Sequence, residues 1–159
     1  VSDPDHQEII SLFPPAGDYF SEIQMIETVK PENMLNADLI LMGCPTYFGN
    51  VSAEMKTFMD GTSGFYLENR LAGKFLVPFT SSASIYGGGE LTLNALRQYG
   101  SHMGMNLLSV PSNLYPQLEL SAYGFIHVSG SDSSNRPGDD MKQAIDIYVK
   151  QVLCALNIS

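Results

Sequence analysis

The sequence predicts an α/β protein built on a parallel sheet with helices against both faces. Three observations carry that reading. Near-continuous apolar runs, "ADLILMGC" (37–44) and "KFLVPFTSS" (74–82), have the pattern of strands buried on both faces. Segments of helical period alternate with them. The two runs end in glycine-bearing turns, "PTYFGN" (45–50) and "ASIYGGGE" (83–90), at the strand ends where open α/β sheets bind ligands.

Taken in order, residues 1–20 have no clean period: "QEIISLF" fits a short helix or strand and "PPAGDYF" is a breaker. "EIQMIETV" (22–29) alternates and reads as a strand, "KPENML" turns, and the 37–44 strand follows, ended by Pro45. Asn50 or Ser52 caps the next helix, whose Val51, Met55, Phe58 and Met59 share one face. Residues 61–73 read as a glycine-rich loop. In the 74–82 strand Pro78 argues for a bulge. A helix over 91–104, a third buried strand over 105–110 and a loop insertion over 111–124 come next. "FIHVSG" (125–130) resumes the strand pattern, 131–140 turns, and 141–156 is the last helix, with Met141, Ala144, Ile145, Tyr148 and Val152 on its apolar face.

Composition bounds the function. The 159 residues are 44% hydrophobic and 16% charged, the balance of one folded domain, 1–159. A net charge of −9 with scattered Lys and Arg excludes a cationic footprint for nucleic acid and argues against an anionic membrane surface. No apolar stretch approaches the roughly 20 residues of a membrane span. Two cysteines, Cys44 and Cys154, fit a reducing cytoplasm and no disulfide framework. The first residues lack the basic start and apolar core of a signal peptide, and without an initiator Met they read as a processed or truncated start.

The chemistry-bearing residues cluster at the two turns. In 45–50, Thr46 offers a hydroxyl, Tyr47 and Phe48 flat faces, and Gly49 close backbone approach, which suits a planar, partly polar ring better than a compact anion. The plain alternative is an ordinary strand–helix turn with its aromatics packed inward. The second turn is hydroxyl-rich, then glycine-rich, and opens a helix whose first amides can hold carbonyl oxygens or anions. Neither phosphate-loop nor dinucleotide glycine fingerprint is present, and neither is a nucleophile elbow. Cys44 has no base nearby in sequence. His6, His102 and His127 are dispersed, so no metal site is expected; His102 ends a helix and His127 lies in a strand.

"ADLILMGCPTYFGNVSAEMKTFMDGTSGFY", "LAGKFLVPFTSSASIYGGGELTL", "HMGM" and "SAYGFIHVSGSDSSNRPGDD" together resemble the WrbA type of flavodoxin-like NAD(P)H:quinone oxidoreductase, over most of residues 22–156. The resemblance implies a flavodoxin-like three-layer α/β/α fold with a five-stranded parallel sheet in order 2-1-3-4-5, FMN as cofactor, NAD(P)H and a quinone as substrates, and a homo-oligomer, dimer or tetramer. It implies that Pro45, Thr46, Tyr47, Phe48, Gly49 and Asn50 border the flavin ring, and that Thr80, Ser81, Ser82, Ala83, Ser84 and Gly87 approach it from the next strand. His102 matches the family's catalytic histidine, and Tyr66 stands where the family often has Trp reaching toward a neighbouring subunit's site.

One departure is large. Family members begin with an apolar strand, a Ser/Thr-rich loop that holds the FMN phosphate, and a long helix. Residues 1–21 contain no such series, so the first strand and phosphate loop are missing or divergent. Each lost charge-assisted hydrogen bond removes roughly 1.5–3 kcal/mol, which would weaken or abolish FMN binding. Two readings follow from the same residues: an FMN-dependent two-electron quinone reductase, or a non-catalytic flavodoxin-like module that has lost tight FMN binding. A one-electron flavodoxin carrier fits "PTYFGN" and the glycine turn less well.

Overall fold

The computed structural model describes residues 29–157, and of these residues 31–157 belong to one compact unit. The strand expected at 22–29, its last residue Val29 apart, and the divergent 1–21 segment lie outside the described residues. The unit begins with a 3-10 helix, Pro31–Asn36, then strand β1 (Leu39–Pro45), helices α1 (Ala53–Gly61) and α2 (Ser63–Leu67), and strand β2 (Phe75–Ser82). Helix α3 (Gly89–His102), strands β3 (Asn106–Leu107) and β4 (Phe125–Val128), and helix α4 (Asp139–Leu156) complete it.

The strands pair in parallel. β1 lies along the whole of β2, from Leu39 opposite Phe75 to Pro45 opposite Ser81. On its other side β2 pairs with β3 through Phe75–Asn106 and Leu76–Leu107, and with β4 through Phe79–Phe125 to Ser82–Val128. The expected third strand is therefore two residues long. Together, β3 and β4 occupy one strand position, interrupted by the 108–124 excursion, instead of two successive ones.

That interruption also accounts for Pro78, where no bulge forms: the β1–β2 register runs through Met42–Pro78 without a break. Leu76 and Pro78 share parity, and Leu76 turns its backbone toward β3, where its carbonyl accepts from the Leu108 amide (3.0 Å). The N–H that Pro78 lacks would thus face the gap between β3 and β4, where no ladder partner waits. A proline is tolerated in a central strand at just such a place.

Each sheet face carries its own core. Alternate residues of β1 and β2, Ile40, Met42 and Leu76, pack with Leu71, Leu96, Met103 and Met105, and α1 adds Met55, Phe58 and Met59. On the other face Val77 and Phe125 pack against Ala144 and Tyr148 of α4, with the Phe125 and Tyr148 rings edge to face at 5.4 Å. Toward β1 this second face is open: Leu41 is 55% exposed and Phe79 45%.

Three boundaries differ from expectation. The 61–73 loop contains α2. Helix α3 begins at Gly89, two residues early, because Gly88 in the left-handed region (φ 87°) starts the turn at once. Helix α4 begins at Asp139, with Asp139 and Asp140 in its first turn, where carboxylates complement the helix dipole. Ser52, not Asn50, caps α1, accepting from the Met55 amide at 3.2 Å.

Candidate active site

Beyond the carboxyl end of β1, residues 47–50 close a tight turn. Tyr47 and Asn50 exchange both backbone hydrogen bonds, at 3.0 and 2.9 Å, and Phe48 (φ 50°) and Gly49 (φ 73°) between them are both left-handed. Two consecutive positive φ values make a type I′ turn, a geometry that favours Asn-Gly or Gly-Gly. A phenylalanine there is strained, and its side chain is fully exposed. Tyr47 is more than half exposed too, so the aromatics do not pack inward as in an ordinary strand–helix turn. Among the described residues the amide protons of Phe48 and Gly49 have no acceptor. Asn50 turns its side-chain oxygen to the Val51 amide at 2.8 Å and so fixes the exit into α1.

The second turn follows β2. Ser84 O accepts from the Gly87 amide at 3.0 Å, Gly88 starts α3, and Ile85 and Tyr86 project at the tip, both largely exposed. The two turns touch: a β-carbon on Gly88 would lie 2.6 Å from the Gly49 Cα. Glycine is required at 88 by that approach as well as by its φ. The result is a cleft edge made of two backbone turns, bearing unsatisfied amides and four exposed apolar side chains.

A hydroxyl network ties the first turn to β2. Thr46 donates its backbone N–H to Ser81 O (2.7 Å), its hydroxyl lies 2.9 Å from that of Thr80, and Thr80 donates to Cys44 O at 2.7 Å. Ser82 donates to Ser84 O at 2.9 Å. Thr80 and Ser82 are both 4% exposed, so of the hydroxyl run only Ser81 and Ser84 keep side chains available to a ligand. Buried hydroxyls shape the turns, and an alternation in strand burial decides which ones they are.

The surroundings of Cys44 disfavour its thiolate. Burial raises its thiol pKa above the usual range, only partly offset by a hydrogen bond with the Ser52 backbone. Among the described residues no group of His, Cys, Asp and Glu could hold a metal ion. No helix among them is long and apolar enough to cross a membrane.

The structure does not bring His102 or Tyr66 to the turns of the same chain. Helix α3 starts beside the turns and His102 ends it 13 residues later, about 20 Å away at 1.5 Å per residue. Tyr66 lies in α2, just after Thr62, whose hydroxyl is 2.8 Å from that of Tyr99 in the last turn of α3. His102 and the half-exposed Tyr66 therefore share the opposite end of the unit. His127 faces neither turn's tip; its Nε2 meets Asn135 O at 2.8 Å and holds the 129–135 loop.

Sequence reasoning missed the link from the 108–124 excursion to the second turn. Ser121 Oγ donates to Glu90 at 2.9 Å, and with Leu120 it walls a shallow groove that also contains Tyr86 and Leu91. A carboxylate in a first helical turn offers no signal for a partner 31 residues on.

The ring of a flavin can be tested against this geometry. Unpaired amides suit its carbonyls, the exposed aromatics its faces, and the glycine contact leaves room for close approach. The ring fits. Among the described residues no set of donors able to grip its phosphate stands near the turns.

Known proteins give the same direction. The family model described as NADPH-dependent FMN reductase matches residues 25–116. The NAD(P)H dehydrogenase (quinone) of Aromatoleum aromaticum is 35% identical over 140 residues, covering 82% of this chain and 68% of that one. That of Chromohalobacter salexigens is 34% identical over 116 residues (69% and 58%), and that of Trichlorobacter lovleyi 36% over 121 (72% and 59%). The chain thus spans less than two thirds of the length of these last two relatives. The crystal structure of the flavodoxin, WrbA-like protein from Agrobacterium tumefaciens superposes with a TM-score of 0.52 at 24% identity, covering 76% of this chain and 70% of that one, which shows a shared flavodoxin-like fold. By the family model and by the Aromatoleum relative, the chain belongs to the flavodoxin-like NADPH-dependent FMN reductase family, with NAD(P)H dehydrogenases (quinone) among its relatives.

Proposed function

We propose that the protein binds the ring of FMN at its two touching turns and works as an NAD(P)H:quinone oxidoreductase. The observation that carries this reading is the Gly49–Gly88 contact, which joins two amide-bearing, aromatic-tipped turns at the carboxyl ends of adjacent parallel strands. The flavin, when bound, supplies the two-electron redox chemistry. The chain's own part is to bind and orient. Residues 45–50 border the ring on one side, while Ser81, Ala83, Ser84 and Gly87 approach from the other, with Thr80 and Ser82 shaping the turn behind them. Tyr47, Phe48 and Tyr86 offer flat faces against which a nicotinamide or a quinone would stack in turn, excluding water.

His102 and Tyr66 complete such a site only from a second copy, because both stand at the far end of their own chain. The active form is accordingly a homo-oligomer, dimer or tetramer, in which His102 would hydrogen-bond the quinone or nicotinamide. Two free thiols fit a reducing cytoplasm. The test uses the whole chain: its visible spectrum with added FMN, and benzoquinone reduction with NADH and with NADPH. A bound-flavin absorbance band with turnover is expected; neither band nor turnover would sink the reading.

One observation favours a second reading, a flavodoxin-like module without tight FMN. No phosphate-gripping donor set stands near the turns among the described residues. Isothermal titration with FMN separates the two: saturable binding supports the enzyme, and none supports the module.

A further inference from the structure

The Thr80 hydroxyl has two close oxygen neighbours, Cys44 O at 2.7 Å and the Thr46 hydroxyl at 2.9 Å; Ser81 O stands farther off at 3.3 Å and, being a carbonyl, can only share the same Thr80 proton. Each of the two close contacts needs a proton, since two bare lone pairs do not rest that close. The Cys44 carbonyl has none to give, so Thr80 must donate to it, and a hydroxyl carries only one proton. Thr46 therefore supplies the second proton, to Thr80. Thr80 is 4% exposed, so solvent does not compete for this arrangement.

This counting leaves half-buried Thr46 with lone pairs only. Beside it, the Phe48 and Gly49 amides have no acceptor among the described residues. The first turn thus offers one acceptor and two donors. A ring edge that alternates carbonyl and N–H, as in an imide, is complementary to that set; an edge of acceptors alone is not.

Resting on the FMN reading above, we propose that Thr46 is the acceptor for the imide N–H of the bound ring, and that Thr80 is a positioning residue that imposes this polarity from behind. The relay makes the site selective for rings bearing a donor at that position.

The test measures affinity, by quenching of flavin fluorescence, for FMN and for FMN methylated at the imide nitrogen, which keeps the phosphate but has no N–H. Wild-type protein is expected to prefer FMN by about tenfold, the worth of one net hydrogen bond. In Thr46→Val, isosteric but without lone pairs, the preference should vanish, whereas a purely steric effect of the methyl group would persist. Thr80→Ser should keep the preference. Thr80→Val, which frees the Thr46 hydroxyl to rotate, should reduce it. Equal wild-type affinity for the two ligands, or a preference that survives in Thr46→Val, overturns the proposal while leaving the FMN reading intact. No measurable affinity for FMN itself overturns that reading, and this proposal with it.

Discussion

The Cα of Gly49 and the position a β-carbon would take on Gly88 lie 2.6 Å apart, inside any tolerable contact. Gly88→Ala must therefore push the two turns apart while also forcing alanine into a φ of 87°. The expected loss of stability is about 1–3 kcal/mol, read from urea unfolding, with FMN affinity falling at least tenfold as the amides separate. An alanine variant with unchanged midpoint and affinity would refute the claim that the turns act as one site.

Phe48 holds a left-handed conformation in which Asn or Gly would rest more easily. Phe48→Asn converts the turn to Asn-Gly, the pair most suited to type I′ geometry, and should stabilise the protein by about 0.5–1 kcal/mol. The same change removes an exposed ring from the cleft. Opposite movements are expected: the denaturation midpoint rises and flavin affinity drops. If both rise, Phe48 is not part of the binding surface.

The two cysteines should differ in alkylation. Burial holds the Cys44 pKa above the ordinary thiol range, so at pH 8 its thiolate fraction is below that of a free thiol, and its rate should keep climbing at higher pH. Cys154 is exposed on α4. Mass spectrometry after brief iodoacetamide treatment should find Cys154 modified first, by about tenfold in rate. Preferential modification of Cys44 would instead mark it as activated.

The two faces of the sheet should respond differently to truncation. Leu76 is fully buried beneath α3, and Leu76→Ala should cost about 2–5 kcal/mol. Leu41, in the adjacent strand but on the open face, is 55% exposed, and Leu41→Ser should cost no more than about 1 kcal/mol. Chemical denaturation of both variants checks the contrast.

Much of this was legible in the residues. The apolar runs at 37–44 and 74–82 announced β1 and β2 because neither carries the polar alternation of a solvent-facing strand, even though one face of β1 is left open at Leu41. Both turns were legible from glycines beside aromatics. What could not be read was pairwise. The broken strand at 106–107 and 125–128 depends on a partner in β2, and local pattern does not reveal which segment pairs with which. Pro78 looked like a defect only because the gap opposite it is a tertiary fact. The division of hydroxyls between ligand-facing and buried needed the strand's facing, and a one-residue change of parity would have reversed Thr80 and Ser81.

The gap facing Pro78 has an engineering consequence. Because no ladder bond is possible there, the chain leaves the sheet at Leu107 and re-enters at Phe125 without breaking a pairing that would otherwise exist. Buried Val110 and Leu120 tether the excursion at its two ends, and Ser121 ties it to Glu90 beside the second turn. Between those tethers Leu114, Tyr115 and Leu118 pack on the second core and the Tyr115 hydroxyl donates to Gln143 at 2.9 Å, so the excursion is anchored to α4 as well. Its exposed positions, Ser112, Asn113, Pro116 and Gln117, form an insertion port where composition can be rewritten with the strand register untouched and the rim of the cleft within reach.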